Sequence, residues 1–390
     1  MGDNAGSLPY PAAMATPLPD LTLPLEPGAA TLRRVLAGVA HAHAQALLQA
    51  TQRADPPLAR ELAQLEQAGV LRALLLRPQV SVLARVWLAV PDQRPALRDR
   101  LRAALAVEAA MVGKLPAPVT VAGVTVALPR LGVRLADVTR VAADGLDHPN
   151  FTPYAALAEL PPSYLPIHPA LPHARLALAD DNPLPIFYDH PKRRGNVVAL
   201  GAQPAQAWLD QLVFAVDTLA RHLPALLDEM RLLLGHVIPV GDLAEDHQSA
   251  SYPHALGSIY LTLHPRPMMM LEALIHEFQH NKLHALLQLG PLLAGDEDLR
   301  VASPVRPDPR PLRGVLLAVH AFLPVAELYR RLVAADDALT REHWFAARYA
   351  AIRQTNRTAW QTVQQHATWT PLAQGLAAEL ARLDAALSEP

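Results

Sequence analysis

The sequence predicts a mainly α-helical protein with a small antiparallel β-sheet (α+β), in which one long apolar helix packs against the helices that follow it. Three observations carry this. Most of the chain reads as segments with apolar residues recurring at helical spacing, many of them opened by proline. Alternating, strand-like runs are few and short. Hydrophobic residues make up 51% of the 390 positions and charged residues 18%, so the chain can bury a large core, and its length suggests two or three folding units.

Residues 1–28 are rich in Pro, Ala and Gly and read as a tail, poorly ordered or draped on the surface. Residues 29–113 read as an N-terminal helical region. Thr31 is positioned to cap a helix to about 53 that carries Leu32, Val35, Leu36, Val39 and Leu47. Pro56-Pro57 opens a second helix, and two more fit 79–90 and 94–112. The remainder, 114–390, reads as one catalytic region. Its first part alternates Val and Thr around Gly123, which suggests a short hairpin there. Segment 144–192 is rich in Pro and Asp and reads as loops with short strands such as Arg175 to Ala179. A long helical stretch covers 203–234, and strand-like runs follow at 237–240 and 258–263. Helices fit 267–289, 312–333, 340–366 and 371–387.

The net charge of −2 without a basic tract argues against a nucleic-acid partner. The chain has no cysteine, which excludes disulfides, thiolate-ligated clusters and a Cys nucleophile, so metal ligands must come from His, Asp or Glu. No basic and apolar leader opens the chain, and no run reads as long and charge-free enough to span a bilayer. The expectation is a cytoplasmic protein with no membrane partner.

The most informative segment is His276-Glu277-Phe278-Gln279-His280, an HExxH pattern inside the uninterrupted apolar run from Met268 to Leu289. Histidines four apart share one face of a helix and can reach one metal ion. Glu277 stands where a zinc hydrolase keeps the base that takes a proton from metal-bound water. The plainer alternative is a buried helix with two hydrogen-bonded histidines. A third ligand is needed, and His320 on the next helix ranks first, ahead of Asp308 and Glu327. His284 continues the same helix too far from His276 to converge with the pair, about 12 Å along the axis. Lys282 beside the pair can meet an acidic substrate group or Glu277, or reach solvent. Arg306, Arg310 and Arg313 alternate with prolines that stiffen their display, an arrangement suited to a dicarboxylate.

The run from Gly257 through Leu293, the loop Arg306-Pro307-Asp308-Pro309-Arg310-Pro311, and Gly314-Val315 to Tyr329 resemble the HExxH-type peptide β-hydroxylases of ribosomal peptide natural-product pathways. The resemblance implies an Fe(II)- and 2-oxoglutarate-dependent dioxygenase that hydroxylates the β-carbon of a residue in a precursor peptide, using O2. It implies iron held by His276 and His280, with Arg306, Arg310 and Lys282 as candidates for the cosubstrate. Glu277 then need not be a base and can orient a histidine ligand. The competing reading is a cytoplasmic zinc metallopeptidase with Glu277 as base. It leaves Arg306 and Arg310 idle. A third reading is a non-enzymatic peptide-binding scaffold.

Overall fold

The computed structural model describes residues 18, 20–184, 198–242, 247–295, 299–302 and 308–388. It is 57% helical with 16% strand, so the expected mainly α class with a small β component holds. The helices in chain order are α1 (Ala30–Ala54), α2 (Pro56–Gln67), α3 (Leu71–Leu74), α4 (Pro78–Ala89), α5 (Arg94–Met111), α6 (Ala205–His222), α7 (Pro224–Leu233), α8 (Pro267–Leu287), α9 (Leu312–Ala334), α10 (Phe345–His366) and α11 (Gln374–Ser388). The principal strands are β1 (Val119–Leu128), β2 (Val133–Val141), β3 (Gly145–His148), β4 (Asn150–Pro153), β5 (Tyr164–Pro166), β6 (Arg175–Ala177), β7 (His236–Asp242), β8 (Ser249–Ala250) and β9 (Ser258–Leu263). The described residues fall into two compact units. The first comprises Leu36–Asp210 and Leu233–Pro265, and the second 18–35, Gln211–Leu232 and 266–388.

In the first unit, α2 starts where the sequence says it should. Asp55 caps it by accepting from the Leu58 amide, and prolines fill its first turn, where no N–H is needed. Leu83, Val86, Leu97, Leu101 and Leu105 of α4 and α5 meet Leu47, Leu58 and Leu62 in one core. Strands β1 to β4 form an antiparallel sheet in sequential order, and Ala103 and Val107 of α5 bury against Val121, Val126 and Leu135. The hairpin expected around Gly123 is displaced. Gly123, at φ 63°, sits inside β1 where the register with β2 shifts, and the chain reverses instead between Leu128 and Val133. A positive φ suits a bulge as well as a turn, so glycine alone does not say which it serves.

The second sheet is mixed. Its order is β5-β6-β7-β9-β8, and the pairs β6·β7 and β7·β9 are parallel. The run into β9 needs Gly257. It has φ +83°, and a Cβ there would stand 2.5 Å from the Leu233 carbonyl oxygen.

In the second unit, α8 packs on α9, and α9 in turn on α10 and α11. The long helix expected over 203–234 is two helices, because Pro224 has no N–H to continue α6 and instead opens α7. Pro324 lies inside α9, so the carbonyl of His320, four residues earlier, loses its helical donor. The Gln279 side chain of α8 supplies one at 3.3 Å. By length and composition α9 could cross a membrane, contrary to the sequence reading, but most of its apolar surface is buried inside the unit.

Residue 18 and residues 20–28 are not a surface tail. Leu18, Leu21 and Leu23 are fully buried, the Asp20 amide donates to Glu379, and the Gly28 amide donates to Asp228. Proline-rich composition removes helix and sheet options, yet apolar side chains at 18, 21 and 23 still find a core. Residues 1–17 lie outside the described residues.

Candidate metal centre

Helix α8 is buried on nearly every side. Past the exposed Pro267, its partly exposed positions are Met269, His276, His280, His284 and Leu287, which fall on a single stripe. Opposite them Met270, Leu274, Phe278 and Leu286 form the buried face. The histidines therefore occupy the only accessible line of a core helix, on a rigid backbone.

The Nε2 atoms of His276 and His280 face each other at 2.9 Å, and their rings stand edge to face with centroids 4.4 Å apart. Donor atoms of His276, Glu277 and His280 all lie within 4.8 Å of one another, the one such cluster among the described residues. Burial pushes the His276 imidazole well below its ordinary range, and the neighbouring His280 adds to this. Burial also lowers His280, to about 4. Both rings are thus neutral at pH 7 and offer lone pairs rather than charge. Metal–nitrogen bonds of about 2.05 Å meeting at a right angle span about 2.9 Å between nitrogens, so the pair fits a single ion. The Nδ1 atoms of both rings are buried without a hydrogen-bond partner. The Phe322 ring of α9 lies 4.4 Å from the His276 ring and walls that side.

The other predicted residues are placed as follows. His320 is fully buried on α9, and its nitrogens do not join the 4.8 Å cluster. Its ring is held neutral by burial and by the charge of Lys282, while backbone groups of Leu21 and Gln279 approach it. Lys282, also fully buried, does not reach solvent or Glu277. Its ammonium donates to Glu229 at 2.5 Å and to the Thr22 carbonyl at 3.1 Å. Burial pushes Glu229 up to about 7, against the pull of Lys282, and lowers Lys282. The same Thr22 carbonyl accepts from Gln279 at 2.5 Å. The buried N-terminal segment and the buried face of the HExxH helix are therefore joined through polar groups that the sequence pattern did not connect.

Glu327 is engaged by Arg330 at 2.6 Å and Arg331 at 2.8 Å. Burial alone would raise its carboxyl, but those hydrogen bonds hold it lower. Asp308 is exposed and sits 3.5 Å from Arg310. Arg310 lies in a two-residue strand just before α9, and its backbone pairs with Val301. Arg306 lies outside the described residues. His284 extends the exposed stripe, with its ring centroid 6.3 Å from that of His280. Sequence reasoning missed Phe322, Thr22 and Glu229. An aromatic at 322 and an acid at 229 carry no signal of what they touch until the helices are packed.

Comparison with protein-family models and with curated proteins finds no match for this chain.

Proposed function

We propose that the chain is an Fe(II)- and 2-oxoglutarate-dependent oxygenase that hydroxylates the β-carbon of a residue in a ribosomally made peptide. The observation that carries the metal part is the 2.9 Å convergence of two neutral imidazoles on the accessible stripe of α8. Support for the oxidative part is the sequence resemblance, which joins this helix to an Arg-x-Asp-Pro-Arg-Pro loop and the helix after it.

His276 and His280 would hold the ion, and iron there would supply oxygen activation coupled to decarboxylation of the cosubstrate. The residues of the chain do the rest. Partial burial and the Phe322 wall limit water at the pair, and lowered imidazole basicity keeps both ligands free of protons. Arg310, half-exposed and lightly tied to Asp308, has donors free to grip a carboxylate in a fork. Lys282 is committed to Glu229, which leaves the arginines as the better cosubstrate candidates.

The second reading, a zinc metallopeptidase, is favoured by Glu277. Its carboxylate lies in the same 4.8 Å cluster as both ligands, where a water-activating base belongs. The test is 2-oxoglutarate turnover to succinate by the Fe(II)-loaded protein in air. Succinate formed by the wild type and lost in His276→Ala and His280→Ala supports the oxygenase. No succinate, with peptide cleavage by the zinc form that Glu277→Gln abolishes, supports the peptidase.

A further inference from the structure

Arg85, on α4 in the first unit, is 8% exposed. Its Nη1 donates to the Pro253 carbonyl at 2.9 Å, while Nε and Nη2 are buried without any hydrogen-bond partner. Among the described residues no carboxylate raises its basicity, and burial lowers its pKa to about 9. Two further basic groups share the spot. The charge of Arg85 depresses the imidazoles of His43, from α1, and His254, next to Pro253. Both ring nitrogens of His43 and the Nε2 of His254 are buried and unpartnered. A guanidinium kept from water ordinarily survives only beside a counter-charge.

The unpartnered edge is chemically specific. Nε–H and Nη2–H point the same way and form the side-on fork that takes two oxygens of a carboxylate or phosphate at once. We propose that Arg85, His43 and His254 form a binding site for a small oxyanion, a carboxylate or phosphate group gripped by the free Arg85 fork. A pocket in the same unit is lined by residues close in sequence to Arg85 and His254, namely Val82 and Ala255. Val82 lies one turn before Arg85 on α4, about 4.5 Å along the axis, and Ala255 follows His254 in sequence. The acidic groups at that pocket have partners of their own: Asp181 is engaged by Arg134 and Tyr164, and Asp180 by Tyr260. The inference is independent of the proposed activity and of the α8 histidines.

The test is calorimetric titration of the full chain with inorganic phosphate and, separately, with acetate, at constant chloride. Saturable binding of either at one site per chain is expected. It should weaken by about tenfold or more in Arg85→Lys, which keeps the charge and loses the fork. Tighter phosphate binding identifies a phosphate site, and tighter acetate binding a carboxylate site. If the Arg85 variant does not fold, His43→Asn and His254→Asn carry the same test. No saturable binding by the wild type, or unchanged affinity in the folded variants, overturns the proposal.

Discussion

Metal binding at the α8 pair should be almost insensitive to mild acid. Two ordinary imidazoles, each with a pKa of about 6.5, would compete with protons strongly at pH 5.5. Each would cost a factor of about 11, and together they would weaken binding about 100-fold relative to pH 7.5. Here burial holds His280 to about 4. At pH 5.5 such a group is only about 3% protonated, and its cost to affinity is negligible. His276 is pushed in the same direction by burial and by His280. The imidazoles should therefore cost less than about twofold across that range. Co(II) titrated in anaerobic buffer and read by its visible absorption would give the apparent Kd at pH 7.5, 6.5 and 5.5. A fall approaching 100-fold would refute the reasoning, because the histidines would then be titrating as exposed groups. The same shifts bear on the metal-free protein. A histidine whose folded pKa lies below its unfolded value loses stability as pH falls, here from about 6.5 toward 4, because the unfolded chain takes the proton first.

Three more outcomes follow from buried groups. Burial pushes the Asp180 carboxyl up to about 6, from an ordinary 3.8. Its folded pKa is the higher one, so the unfolded chain releases the proton first and stability falls as pH rises through that window. The loss is about 3 kcal/mol. Asp180→Asn should flatten denaturant-derived stability between pH 4 and 6, and an unchanged slope would count against the assignment. Leu21→Ala should cost about 2–4 kcal/mol in denaturant unfolding, whereas Leu25→Ala, at a position 58% exposed, should cost under about 0.5. Equal effects would mean that the N-terminal segment is not core. Glu272 is buried against Arg348 at 2.5 Å and accepts from Tyr329 at 2.5 Å. Arg348→Ala should cost about 2 kcal/mol, less than a fully buried pair because the arginine is partly exposed, and adding Glu272→Gln should restore most of it. No recovery in the double variant would contradict the pairing.

Much of the fold was legible where local chemistry decides it. Pro56 with Asp55 opened α2, and an unbroken apolar run from Met268 made α8. Residues 276 and 280 shared a face by helical geometry alone, and their convergence followed. What depended on packing was not legible. Leu18, Leu21 and Leu23 have no periodicity that separates a buried strap from a loose tail. The parallel pairing of β7 with β9 is set by a connection, since alternation is the same in either direction. His320 looked like a ligand because it lay one helix away. In the structure its carbonyl, freed by Pro324, meets Gln279, and Phe322 takes the place beside His276. Lys282 looked like a solvent-reaching neighbour of the site because its partner, Glu229, lies 53 residues away in sequence.

The most direct test of the central claim is anaerobic titration of the purified protein with Fe(II) and then with 2-oxoglutarate, followed by visible absorption. A weak charge-transfer band is expected when the cosubstrate is added, absent in His276→Ala and His280→Ala. No band at saturating iron and 2-oxoglutarate, together with tight zinc binding by the same two histidines, would contradict it.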